Sequence, residues 1–154
     1  MNRPENRVPN ILQRSNFPHI QRISTRWKDN DIYGHVNNVE YYSYFDTVIN
    51  SYLIGYGGLD IHRGDVIGVC AESHCRYLKA LAFPHAVDAA LRVSRIGRTS
   101  VRYDIALFQQ DDDEAAAEGW FVHVFVDRAE RRPTPLPQAL RTALEALHIK
   151  SPES

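Results

Sequence analysis

The run NNVEYYSYFDTVINSYLIGYGG, residues 37–58, decides the fold. Tyr41, Phe45, Val48, Ile49, Tyr52 and Leu53 recur at helical spacing and form one apolar stripe. Asn37 with Glu40 three positions later has the spacing of a capping box, with Asn in place of the usual Ser or Thr. Gly55, Gly57 and Gly58 end the helix, because glycine takes the left-handed conformation that terminates one. A long helix with a single apolar stripe needs a sheet to cover it, and the flanking sequence supplies strands.

Before the helix, His19 to Trp27 alternates as a short strand until the polar cluster Lys28-Asp29-Asn30-Asp31 breaks it. After the helix, Val66–Tyr77 and His85–Ile96 read as strands. In the latter, Val87, Ala89, Leu91 and Val93 oppose Asp88, Ala90, Arg92 and Ser94. Past the Gly97-Arg98 turn, Val101, Tyr103, Ile105 and Leu107 alternate with Arg102, Asp104, Ala106 and Phe108. Asp111–Glu114 reads as a solvated hairpin tip. Trp120–Val126 is apolar at almost every position, which predicts a strand covered on both faces, with His123 packed inside it. Pro133, Pro135 and Pro137 stop the sheet, and an amphipathic segment from Gln138 to Leu147 closes the chain. One strand, a helix and four further strands is an α+β order, with antiparallel neighbours and one long helix on the concave face.

At 154 residues the chain has the length of one domain. A net charge of −1 gives no overall reason to expect nucleic acid as a partner, and no apolar run is long enough to cross a bilayer. The opening MNRPENRVPN lacks the apolar stretch of a secretory signal, so a cytoplasmic protein is expected. Residues 1–18, rich in Asn, Arg and Pro, are expected to form a flexible N-terminal arm. Cys70 and Cys75 lie an odd number of positions apart. On a regular strand that sends them to opposite faces, as buried thiols and not a disulfide. No CxxC or HxxxH pair offers a metal frame.

The chemistry concentrates in residues 26–46, where two carboxylates, a glycine, a histidine and two asparagines sit between a strand and the main helix. Unpaired N–H groups at a helix start and the helix dipole both favour a developing oxyanion. A carboxylate just ahead of them can attack a carbonyl or take a proton from water. The same residues also serve purely local ends, as caps and turns. Gly34 supplies a backbone shape that other residues resist.

The run D-x-D-x-x-G-H-V-N-N-x-x-Y-x-x-Y-F-D, residues 29–46, resembles the signature of hotdog thioesterases of the 4-hydroxybenzoyl-CoA type. A similar run occurs in acyl-ACP thioesterases, and a weaker likeness extends to the proline-rich end at 132–137. The resemblance implies a hotdog fold over residues 19–150, with about five antiparallel strands wrapped around one long helix. It implies an acyl-CoA thioesterase that uses neither metal nor redox cofactor. Two protomers would join their sheets as a homodimer, or pair again as a homotetramer, with active sites at the dimer interface. Carried over residue by residue, Asp31 is the catalytic carboxylate. Asn37, Asn38 and Val39 supply the oxyanion-binding N–H groups, and His35 supports Asp31. Tyr33, Tyr41 and Ser100 are candidate substrate contacts, and Asp29 is a structural turn residue. The acyl-ACP branch carries asparagine where this chain has Tyr33, so its mechanism does not carry over whole.

The expected activity is hydrolysis of an acyl-CoA, or of an acyl carrier protein thioester, to the free acid. A non-catalytic acyl-CoA-binding protein of the same fold is the alternative, although it would not need Asp31. A hydratase or dehydratase would space its aspartate and histidine differently from Asp31 and His35. Tyr41, Tyr42, Tyr44 and Phe45 read either as pocket lining or as core. Arg92, Arg95, Arg98 and Arg102 are candidates to meet the CoA phosphate.

Overall fold

Strand alternation from His19 lasts only as far as Ile23 and makes β1 (His19–Ile23). Thr25 then turns inward to donate to the carbonyl of His85, and Trp27–Asp29 coils into a single 3-10 turn in place of the rest of the expected strand. The computed structural model describes residues 12–149, so the first eleven residues of the expected arm lie outside the description. Next come α1 (Asn38–Gly55), β2 (Val66–Tyr77), β3 (Val87–Ile96), β4 (Ser100–Gln109), β5 (Ala117–Asp127) and α2 (Gln138–Glu145). The strands form one sheet in the order β1-β3-β4-β5-β2, antiparallel throughout. The order is α+β, with the sheet wrapped around one long helix in the hotdog arrangement.

The helix stripe is the expected one with Tyr44 added: Tyr41, Tyr44, Phe45, Val48, Ile49, Tyr52 and Leu53 are all buried. They meet the inward rows of β3 (Val87, Ala89, Leu91, Val93) and β4 (Val101, Tyr103, Ile105, Leu107) in one core. Phe45 crosses β5 at Gly119, where a Cβ would lie 2.8 Å from its ring, so no larger residue fits beneath the helix there. The helix start departs from the full capping box. Asn37 Oδ1 accepts from Val39 N–H at 3.1 Å, but the Asn37 N–H goes to the carbonyl of Asp29 at 2.8 Å, not to Glu40. The Glu40 carboxylate instead faces the Arg26 guanidinium at 3.7 Å.

The cysteines depart as well. Cys70 pairs with His123 and Cys75 with Gly119, with a register shift between Cys70 and Glu72. The bulge consumes one residue, so both thiols follow the inward row of β5 despite their odd spacing. Both are free; Cys70 is exposed and Cys75 half-buried. On β5 the inward Phe121, His123 and Phe125 are buried, whereas the outward Trp120, Val122 and Val124 are only half-covered. The outer side of Trp120 is met by side chains, His74 stacking on its ring and Arg102 lying 4.6 Å from its centre, with no second layer above it among the described residues. At the far side of that face, Phe17 packs on Phe108 and Arg14 reaches the buried Asp88 at 2.7 Å, which holds residues 12–18 on the sheet. Among the described residues no helix is long and apolar enough to cross a membrane.

His123 is 3% exposed, and its Nδ1 lies 3.1 Å from the Tyr103 hydroxyl. Burial pushes its imidazole from the ordinary 6.5 down to about 4, so the folded protein keeps it neutral where the unfolded chain protonates it. Stability is therefore full above about pH 6.5, declines as pH falls, and has lost about 3 kcal/mol by about pH 4. Burial of His19 lowers its pKa and adds in the same direction. Urea unfolding at stepped pH should show this slope, reduced in His123→Gln; equal slopes in the two proteins would rule the assignment out.

Candidate active site

Between the 3-10 turn and α1 the chain makes a small hairpin. Asn30 bridges Val36, Asp31 N–H donates to the His35 carbonyl at 2.8 Å, and Gly34 N–H donates to the Asp31 carbonyl at 3.1 Å. Gly34 closes it with φ +83°, a left-handed conformation that a side chain would strain. The hairpin is tied to the segment before β3. Val36 N–H donates to the Leu81 carbonyl at 2.7 Å, and Asn30 Oδ1 accepts from Phe83 N–H at 3.1 Å.

The two aspartates of the D-x-D motif meet different fates. Asp29 is fully buried; it accepts from the Arg26 backbone N–H at 2.9 Å, from the Arg26 guanidinium, and from the Tyr44 hydroxyl at 3.0 Å. Burial alone would raise its pKa, but these hydrogen bonds and the nearby charge outweigh it and hold the carboxyl below the usual range. Its oxygens are committed to structure. Asp31 is half-buried, and its Oδ1 accepts from Tyr33 N–H at 2.8 Å and, more loosely, from His35 N–H at 3.5 Å. Among the described residues Oδ2 has no hydrogen-bond partner.

Asp31 borders two cavities. One, of about 510 Å³, is lined with it by His35, Val36, Asn38, Tyr41, Tyr77 and Lys79. The other, of about 590 Å³, is lined by Trp27, Lys28, Asn30, Ile32 and Gly34. Of the three expected oxyanion donors, Asn37 and Val39 have their N–H groups occupied, the first by Asp29 and the second by Asn37 Oδ1. That leaves the Asn38 N–H as the donor of the first turn without an acceptor among the described residues. Asn38 lines the same cavity as Asp31.

His35 is exposed and holds Asp31 through its backbone, not its ring. Tyr33 stands 78% exposed at the hairpin tip. Tyr41 lines the inner cavity, where its hydroxyl accepts from Leu81 N–H at 3.3 Å. Ser100 does not join them. It pairs with Val124 at the opposite end of β4, and Leu107, seven residues on, is the one level with Ala117 and Tyr77. At the usual rise that is roughly 23 Å along the strand within one chain. Arg92 and Arg102 stand on the outer face of the sheet, on Asp104 and Trp120 respectively. The cations that line these two cavities are Lys28 and Lys79, the latter paired with Asp112 and Glu114. Sequence reasoning passed over both, and over Tyr77, whose hydroxyl donates to the Asn38 carbonyl at 3.3 Å. A strand ending beside a helix start is a tertiary relation with no local signal. Among the described residues no three His, Cys, Asp or Glu side chains converge to hold a metal ion.

Residues 25–144 match the model of the thioesterase-like superfamily. This chain belongs to that superfamily. The PA5185 protein of Pseudomonas aeruginosa is 54% identical, with TM-score 0.88 over 90% of this chain and 96% of that one. The PA2801 protein of the same species, a candidate thioesterase, is 32% identical, with TM-score 0.78 over 83% and 98%. Slr0204 of Synechocystis, a 1,4-dihydroxy-2-naphthoyl-CoA thioesterase, shares the fold at 18% identity, with TM-score 0.74 over 81% and 93%. The chain spans 59% of the length of the curated Bacillus subtilis relative YsmA, at 25% identity over 88 residues, or 57% of its own length. Membership of the thioesterase-like superfamily makes thioester hydrolysis the general class of chemistry.

Proposed function

We propose that this protein hydrolyses acyl-CoA thioesters to a free carboxylic acid and CoA, with Asp31 as the reacting carboxylate. One observation carries the reading: Asp31 and Asn38 line one cavity, and among the described residues the Asp31 Oδ2 and the Asn38 N–H have no hydrogen-bond partner. A thioester carbonyl lying there would direct its oxygen at the Asn38 N–H and present its carbon to Asp31. Asp31 then either attacks that carbon, displacing the sulfur and leaving an acyl-aspartyl anhydride that water hydrolyses to the free acid, or takes a proton from the attacking water and passes it to the departing sulfur. The carbon–sulfur bond breaks, and the sulfur leaves as the CoA thiol. His35 supports the carboxylate through its backbone. Lys28 and Lys79 are the cations available to CoA phosphates. The name of Slr0204 supports CoA as the thiol, because it shares this fold.

The working unit is proposed to be a homodimer. β2 is an edge strand of twelve residues with one side unpaired among the described residues, and it is mostly exposed, Val69 at 41% and Tyr77 at 45%. An edge of this length invites pairing with another strand. Joined edge to edge with a second copy, it would bring a partner surface beside Tyr77 and hence beside the Asp31 cavity.

Free-thiol release by the purified protein, across short, medium, long and aromatic acyl-CoAs and an acyl carrier protein thioester, tests the activity. Turnover on the CoA substrates is expected. Binding without release would move the reading to an acyl-CoA-binding protein. Light scattering on the same sample should give a dimer or tetramer mass, and a monomer would sink the pairing.

A further inference from the structure

The cavity shared by Asp31 and Asn38 is open along one protomer. His35, Asn38, Tyr77, Lys79 and Ala80, which line it, are all exposed, and Tyr77 is the last residue of the β2 edge. Lys79 is the one lysine or arginine in that lining, and Glu114 at 2.8 Å and Asp112 at 3.3 Å already hold it. An anionic substrate would meet no uncommitted cation there within a single chain.

Pairing of β2 with β2 of a second copy has one register that uses all twelve residues and sets inward side chains against inward ones. Tyr77 then stands opposite the partner's Val66, Cys75 opposite the partner's Gly68 and Ser73 opposite the partner's Cys70. The bulge between Cys70 and Glu72 makes this match possible, because all six positions follow the inward row of β5. Beyond Val66 the partner's turn, residues 61–65, comes level with Leu78 and Lys79, which line the Asp31 cavity.

That turn is fastened on several sides. Asp60 Oδ1 accepts from the N–H groups of His62 and Arg63, each at 3.0 Å. Gly64 N–H donates to the Asp60 carbonyl at 2.9 Å, and a Cβ on Gly64 would lie 2.6 Å from that oxygen. The Arg128 guanidinium donates to the carbonyls of Gly64 at 2.6 Å and Ile61 at 2.7 Å. The Arg63 side chain takes no part in this. It is exposed and makes no hydrogen bond or ion pair among the described residues.

We propose that Arg63 of the partner subunit completes the Asp31 site in trans, where its guanidinium binds a phosphate of the CoA thioester. A guanidinium offers two parallel N–H donors to phosphate oxygens, and a turn held by its backbone keeps that fork in place.

The proposal rests on the acyl-CoA reading and on the homodimer, and the tests separate the three. The parent, Arg63→Ala and Arg63→Lys are assayed on an acyl-CoA and on the matching S-acyl pantetheine, which carries no phosphate. Arg63→Ala should raise KM for the acyl-CoA at least about tenfold with kcat nearly unchanged, and leave the pantetheine thioester unaffected. Arg63→Lys, which keeps the charge, should recover most of the loss. Equal losses on both substrates, or none on the acyl-CoA, overturn the proposal.

Asp31→Asn and Arg63→Ala are then co-expressed under two affinity tags and purified through both, which selects the mixed dimer. In trans, one of its sites keeps both residues and the other has neither, so kcat/KM per dimer should be about half the parental value. If Arg63 served its own chain, each site would carry one defect, and a value of about a twentieth would overturn the proposal. If no thioester is cleaved but calorimetry shows CoA bound at least about tenfold more weakly by Arg63→Ala, only hydrolysis fails. If thioesters are cleaved and Arg63→Ala matches the parent, only Arg63 fails. A monomeric protein overturns the pairing and the role of Arg63 together.

Discussion

Asp31→Asn is expected to fold as the parent does and to lose at least about 100-fold in turnover, the usual scale for removing a positioned acid–base group. The two halves of that result have separate causes. Asparagine is nearly isosteric, and its amide oxygen can still accept from Tyr33 N–H, so the turn that Asp31 Oδ1 closes survives. Amide nitrogen takes the place of the free Oδ2, and it can neither attack a carbonyl nor take a proton. The residual rate reports what the Asn38 N–H and substrate binding achieve alone, and an oxyanion donor is itself worth roughly 100- to 1,000-fold. Thiol release and thermal melting on the same preparation decide the matter. Turnover near the parental rate would sink the role given to Asp31. A large fall in melting temperature would make the residue a structural one.

Asp29→Ala is the mirror experiment and should destabilise by at least about 2 kcal/mol, because the Arg26 N–H and the Tyr44 hydroxyl both lose their acceptor. Its carboxylate is fully buried and serves at once the Arg26 backbone, the Arg26 guanidinium and the Tyr44 hydroxyl. Truncation leaves the Tyr44 hydroxyl buried without an acceptor, which alone costs about 1–3 kcal/mol. Arg26 is itself half in water and still has Glu40 within reach, which moderates the loss. Urea unfolding measures it, and a change below about 1 kcal/mol would show that the turn does not depend on this carboxylate.

What the sequence disclosed was whatever depends on near neighbours. The apolar stripe of α1, the cap at Asn37, the left-handed Gly34 and the alternation of β3 and β4 are all set within a few residues. What it concealed depends on partners far along the chain. Glu40 leaves the capping box because Arg26 stands opposite and the Asp29 carbonyl has already taken the Asn37 N–H. Ser100 reads as a polar residue at a strand start, but only the register of β4 on β5 shows which end of the sheet that start occupies. Cys70 and Cys75 lost their alternation to a bulge that no turn residue announces. The helix-start donors could be counted from sequence as three, and pairing reduces them to Asn38. Asp31 and Asp29 were told apart by resemblance, and burial supplies the physical difference between them.

The hairpin that carries Asp31 is held by main-chain bonds, from Asp31 to His35 and from Gly34 to Asp31, with its tip residues Ile32 and Tyr33 turned to solvent. The Asp31 carboxylate is thus carried on a loop anchored by main-chain groups that every amino acid except proline possesses. Side chains at the tip can drift through evolution, or be randomised in the laboratory, with the carboxylate left where it is. The loop separates a fixed carboxylate from an adjustable rim, and Gly34 is the position where that freedom ends.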